Sequence, residues 1–172
     1  KRQRIGVITL PSFYQDFYEK RNGDKNYKSA TRDVAALLVQ LKAEKVAGVL
    51  IDLRNNPGGA LNEAVSLSNL FIRQGTLLQT KNTAGKVTLE QAKPADYVWD
   101  DPIAVLIDRR SGGGTEIFAA AMQDYGRGIV LGETSHGVGG VQTIIDLNQL
   151  TPNSSSQLGE LKITLSQYFR VT

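Results

Sequence analysis

Residues 102–128 read PIAVLIDRRSGGGTEIFAAAMQDYGRG, and this stretch constrains the fold more than any other. An unbroken aliphatic run at 103–107, entered through a proline, predicts a buried strand. A glycine-rich turn follows. A helix is then expected to open at Thr115 as its cap, with Glu116 in the first turn and Ile117, Ala120 and Met122 along an apolar side. Gly126 is placed to end it. A strand, a glycine turn and a helix in that order make half of a βαβ unit. Such a turn points backbone N–H groups at whatever sits above the strand's C-terminal end.

On residue type alone, Ser111-Gly112-Gly113-Gly114-Thr115 admits three readings. A phosphate cradle would want the lysine and spacing of a P-loop, which are absent. A nucleophile turn beside an oxyanion hole would draw a hydroxyl from Ser111 or Thr115. A plain tight connection needs glycine only to let the backbone pass.

A second turn of the same kind, Arg54-Asn55-Asn56-Pro57-Gly58-Gly59, joins an expected buried strand at 49–53 to a helix at 61–72. Pro57 and the two glycines set N–H groups toward a ligand, so the two turns read as halves of one site. Further strands are expected at 4–10, 76–81, 86–91 and 141–147. A short buried strand is expected at 128–132 and a half-exposed one at 161–171. A helix at 29–45 would bury Val34, Leu37, Leu38 and Leu41 on one face. Phe13, Tyr14 and Phe17 read as caps on a core. Residues 18–28 and 148–159, the latter centred on Ser154-Ser155-Ser156, read as solvated loops. The βαβ alternation, with 172 residues and 41% hydrophobic content, predicts one α/β domain spanning 1–172.

Charge and composition remove several function classes. Twenty basic against 17 acidic residues leave +3, and the basic ones are dispersed, with Lys1, Arg2 and Arg4 the only close cluster. No stripe for nucleic acid follows from that. With no cysteine and a single histidine, His136, neither a disulfide framework nor a zinc site of the usual composition is expected. No apolar run approaches the ~20 residues of a membrane helix. The opening KRQRIGVITL is not a signal peptide and reads as the start of an excised domain.

The two turns belong to a longer series of motifs. SFY after the first strand, YKSATRDV, DLRNNPGG, TEIFAAAMQDYGRG, GETSHG and SQYFRV together resemble the tail-specific protease, or C-terminal processing peptidase, family. The resemblance runs in order over nearly the whole chain. It implies a mixed α/β sheet with βαβ units, like the core of Clp protease and crotonase. It implies a periplasmic serine endopeptidase that uses a serine–lysine dyad, without cofactor or metal, on unfolded polypeptides or C-terminal peptides. It also implies that a PDZ module and a helical C-terminal region belong to the parent protein and not to this chain.

Position by position, the reactive pair of the family is missing. The family's turn has the form S-A-S-A-S-E, with the middle serine as nucleophile. Ser111, Thr115 and Glu116 match its first serine, third serine and glutamate, which leaves Gly113 at the nucleophile. The base lysine belongs to a G-K-G-T-V-Q loop, matched by 137–142, so Val138 stands at the base, 25 residues beyond Gly113. Gln142, which in the family helps orient the lysine, is present, and Gly58 or Gly59 with the N–H of Gly114 match the oxyanion-hole positions. Glycine has nothing to attack a carbonyl with, and valine accepts no proton. The resemblance therefore implies a pseudo-peptidase, whether natural or altered. The alternatives are a non-catalytic peptide-binding module, an acyl-thioester or anion binder on the paired glycine turns, and a shifted Ser111–His136 dyad.

Overall fold

The structure, a computed structural model, describes residues 3–150 and 158–171. The Ser154-Ser155-Ser156 segment lies outside the described residues. Strands β1 (Gly6–Thr9), β2 (Val49–Asp52), β5 (Ile103–Ile107) and β6 (Ile129–Gly132) form a parallel sheet in the order β1-β2-β5-β6. Strands β3 (Thr76–Asn82), β4 (Val87–Gln91), β7 (Gly140–Asp146) and β8 (Glu160–Phe169) form a second, antiparallel sheet in the order β4-β3-β8-β7. The mixed pairing expected from the motifs is thus divided between two sheets.

Helices α1 (Phe17–Arg21), α2 (Ala30–Ala43), α3 (Leu61–Asn69) and α4 (Gly114–Asp124) complete the architecture with a four-residue turn of helix, α5 (Leu147–Leu150). Helix α4 packs against β5 and β6 on one side and β3 on the other, so it lies between the sheets. Ile8, Ile51 and Val105, in register across the parallel sheet, are buried under the helices. Phe118 on α4 meets Phe71 edge-on at 5.6 Å and Phe13 at 6.5 Å between ring centres. Trp99 is fully buried, and the Arg127 guanidinium donates to the carbonyls of Phe71, Trp99 and Asp101. That one side chain fastens the 97–101 loop to the end of α3.

Among the described residues, no helix covers the opposite face of the parallel sheet. Val7, Leu50, Ala104 and Ile129 form one cross-strand row, and Thr9, Asp52, Leu106 and Leu131 the next. Val7 is 61% and Ile129 65% exposed. The expectation of a buried strand at 128–132 fails here, because β6 is an edge strand and turns only Val130 toward α4. Leu37 also comes out exposed on α2, where Val34 and Leu38 carry the burial. Among the described residues no helix is long and apolar enough to cross a membrane.

Two local departures from expectation have simple causes. Residues 18–28 do not begin as loop: Asp16 accepts from the N–H groups of Tyr18 and Glu19 and caps α1, leaving Phe17 exposed while Phe13 is buried in the core and Tyr14 packs against it. Helix α4 starts at Gly114, with Gly113 and not Thr115 as its cap residue. The cap is made from the other direction, by the Glu116 carboxylate on the Gly113 N–H at 3.0 Å.

Candidate active site

The two glycine turns sit side by side because β2 and β5 are neighbours in register. Asn56 binds them together. Its buried side chain donates to the Leu10 carbonyl and accepts from the Gly58 N–H, both at 2.9 Å. Its own carbonyl accepts from the Gly112 N–H and the Thr115 hydroxyl, both at 3.0 Å. Ser111, fully buried, donates its hydroxyl to the Leu53 carbonyl and accepts from the Asp108 N–H. Asp108 in turn accepts from the N–H of Asn55, whose φ of +61° closes the first turn. The hydroxyls of Ser111 and Thr115 are therefore structural ties that face away from the cleft. His136, exposed, reaches Ser111 only through its backbone N–H, so no Ser111–His136 dyad forms.

At the crossing the backbone is packed to contact. A Cβ on Gly58 would lie 2.7 Å from the Gly112 carbonyl oxygen and 2.8 Å from the Gly114 nitrogen; one on Gly59 would lie 2.3 Å from the Phe13 carbonyl oxygen. Gly113 differs. Its backbone, at φ +53° and ψ −114°, is a sharp strand-to-helix elbow, and a Cβ there would find nothing nearer than the Pro57 oxygen at 3.5 Å. There is room for a side chain at 113, and the residue supplies none.

The Gly58 N–H is spent on Asn56, whereas the N–H groups of Gly59 and Gly114 make no hydrogen bond among the described residues. Both residues line a cleft of about 890 Å³ between the Phe13–Phe17 region and β7. Two unspent donors at the head of a helix are suited to an oxygen that gains negative charge.

Glu116 connects everything around the elbow. Its carboxylate accepts from Gly113 N–H, Val138 N–H at 2.9 Å, Gly137 N–H at 2.6 Å, the Ser135 hydroxyl at 2.7 Å and the Tyr168 hydroxyl at 3.1 Å. Burial works against its charge, yet the hydrogen bonds from Ser135, Val138, Gly137 and Tyr168 outweigh it and hold the carboxyl below the usual carboxylate value. Burial, then the facing carboxylate, push the Tyr168 phenol up to about 12. Gly113, Val138 and β8 thus share one acceptor. Residue types alone did not reveal this hub; the glutamate in the first turn of a helix capped by glycine was the available signal.

Val138 lies across from the elbow, its Cγ2 3.2 Å from where a Cβ on Gly112 would stand. Its side chain is partly exposed and has no polar atom. Gln142 lines the same cleft, exposed, with its amide 3.5 Å from the Thr164 hydroxyl across the β7–β8 pair. A smaller cavity of about 390 Å³ lies on the far side of α4, reaching Glu116 and Tyr168 from between the sheets.

Comparison with known proteins places these features in context. The profile of Peptidase family S41 matches residues 4–171. The chain is 38% identical over 169 residues to the tail-specific protease of Haemophilus influenzae, covering 98% of this chain and 22% of that protein. It is 33% identical over 166 residues to the carboxy-terminal-processing protease of Bartonella bacilliformis, covering 96% of this chain and 34% of the other. Among solved structures, the photosystem II D1 C-terminal processing protease superposes with a TM-score of 0.75 at 23% identity, over 96% of this chain and 38% of that one. The chain spans about a fifth to a third of the length of the two curated relatives.

Proposed function

Because the chain belongs to peptidase family S41, we propose that it is a protease core of the C-terminal processing type that seats an extended peptide without cleaving it. The observation that carries this reading is the elbow at Gly113: a spacious position at the head of α4, its amide held by Glu116, with no side chain to act as nucleophile. Val138 supports it from the other side, standing at the elbow with no atom that takes a proton. On this reading Gly59 and Gly114 supply the oxyanion donors, and Gly58 shapes the turn. An oxyanion hole and binding alone leave roughly 10³–10⁴-fold over water, too little to process a protein. The ligands are unfolded polypeptides or C-terminal peptides, the compartment is the periplasm, and recognition and helical domains of a parent chain complete the capture. Specific nucleic-acid binding is not part of the reading.

The test is restoration. Gly113→Ser with Val138→Lys should produce cleavage of a denatured, C-terminally tagged substrate, while the unaltered chain leaves the band intact for hours. Either substitution alone should give almost nothing, because the pair acts as a unit. The restored activity should climb toward alkaline pH as the new lysine loses its proton. Equal activity from single and double variants, or cleavage by the unaltered chain, would overturn the reading.

A further inference from the structure

The cleft that holds Gly59 and Gly114 is otherwise built from aromatic, aliphatic and uncharged polar residues, and among the described residues only one charged side chain lines it: Lys162. Among the described residues its ammonium has no ion-pair or hydrogen-bond partner, and no carboxylate lines the cleft to neutralise it. The nearest acids along the strands, Asp146 and Glu160, are paired in register with each other and lie outside the lining.

The position of Lys162 along the cleft is fixed by register. Gly140 opens β7 beside the elbow, since the neighbouring Gly139 is tied to Tyr168, whose hydroxyl meets Glu116. Lys162 stands opposite Ile144, four residues farther along β7. At about 3.3 Å per residue that is on the order of 13 Å from Gly140, or about four residues of extended peptide. Val141, Gln142, Thr143 and Ile144 all line the cleft, although successive side chains of a strand point to opposite faces. Lys162 and Tyr168 of the neighbouring β8 line it too, so the cleft spans β7 and its outer edge, where among the described residues β7 has no pairing partner. An extended peptide with a carbonyl at Gly59 and Gly114 can run along that edge toward Lys162.

Resting on the reading of this cleft as a peptide site, we propose that Lys162 is an anion-recognising end of the cleft, selecting peptides that carry a carboxylate about four residues from the carbonyl seated in the turns. The carboxylate has two sources, the chain terminus or an acidic side chain, and the ammonium serves both.

Fluorescence anisotropy on the 172-residue chain separates the possibilities, with three labelled peptides of one apolar sequence: a free C-terminal acid, the same peptide amidated, and the amide with glutamate at the fourth residue. The acid, the glutamate peptide or both should bind about three- to tenfold more tightly than the neutral amide. Which of the two binds tighter identifies the source. The preference should shrink with added salt, vanish in Lys162→Met and persist in Lys162→Arg. Equal binding of all three peptides, or a preference unchanged in Lys162→Met, overturns the role of Lys162 while leaving the peptide cleft intact. Binding of no peptide overturns the cleft reading and this inference together.

Discussion

Five donors converge on the Glu116 carboxylate, and four of them come from loop residues and from β8. Replacing it by glutamine turns one acceptor oxygen into an NH₂ that faces donors, so Glu116→Gln should lower stability by about 1–2 kcal/mol, allowing for its partial exposure. The loss has a pH signature. The folded carboxyl titrates below its ordinary 4.5, so its contribution is present above that value and disappears as pH falls through the folded value. The gap between wild type and Glu116→Gln in urea midpoints should therefore be full at pH 7 and narrow only once pH has fallen below the ordinary carboxylate value of 4.5. Tyr168 gives the opposite sign. Its pKa is raised from 10.0 to about 12, so its contribution is intact below 10 and is lost as pH rises from 10 toward 12. Tyr168→Phe should flatten that part of the alkaline slope.

The two strand–turn–helix units were legible in the chain because each carries three agreeing signals: an aliphatic run, glycines, and an amphipathic helix after them. The cap of α4 was misread because Thr115 has the right chemistry two residues too late; its hydroxyl answers a long-range demand from the Asn56 carbonyl that no local pattern encodes. Exposure of β6 was hidden for a similar reason, since GIVLG is apolar whether its strand is central or at an edge, and only the strand order decides. Asp16 and Glu19 did announce α1 in the form of a helix start, in a stretch whose polarity pointed to loop. The roles of Ser111, Asn56 and Gly58 lie in contacts between turns 50 or more residues apart in sequence, beyond any spacing rule. At this scale the glycines make a sharp test. Gly59→Ala drives a Cβ into the Phe13 carbonyl and should cost more than about 2 kcal/mol, whereas Gly113→Ala has space and should cost about 1–2 kcal/mol for its positive φ alone. Thermal melts that rank the two the other way would contradict the packing of the crossing.

Parallel sheets are ordinarily covered on both faces, and here the row Val7, Leu50, Ala104, Ile129 has helices behind it and, among the described residues, nothing in front. The isolated chain should therefore self-associate as its concentration rises. Val7→Thr with Ile129→Thr should raise the monomer fraction in sedimentation with little change in melting temperature, since both side chains are already exposed. The frame of the elbow is a different matter. The ties that fix it run through Asn56, Ser111, Thr115, Glu116 and main-chain atoms; positions 113 and 138 contribute only main-chain groups. Foldedness therefore depends little on the side chain at 138, while at 113 the positive φ sets a modest cost on any side chain and favours glycine. Purifying selection for a folded molecule alone exerts no pull toward a hydroxyl or an amine at either position, so mutational drift toward glycine at 113 meets no resistance from the scaffold, whereas the reverse change costs backbone strain.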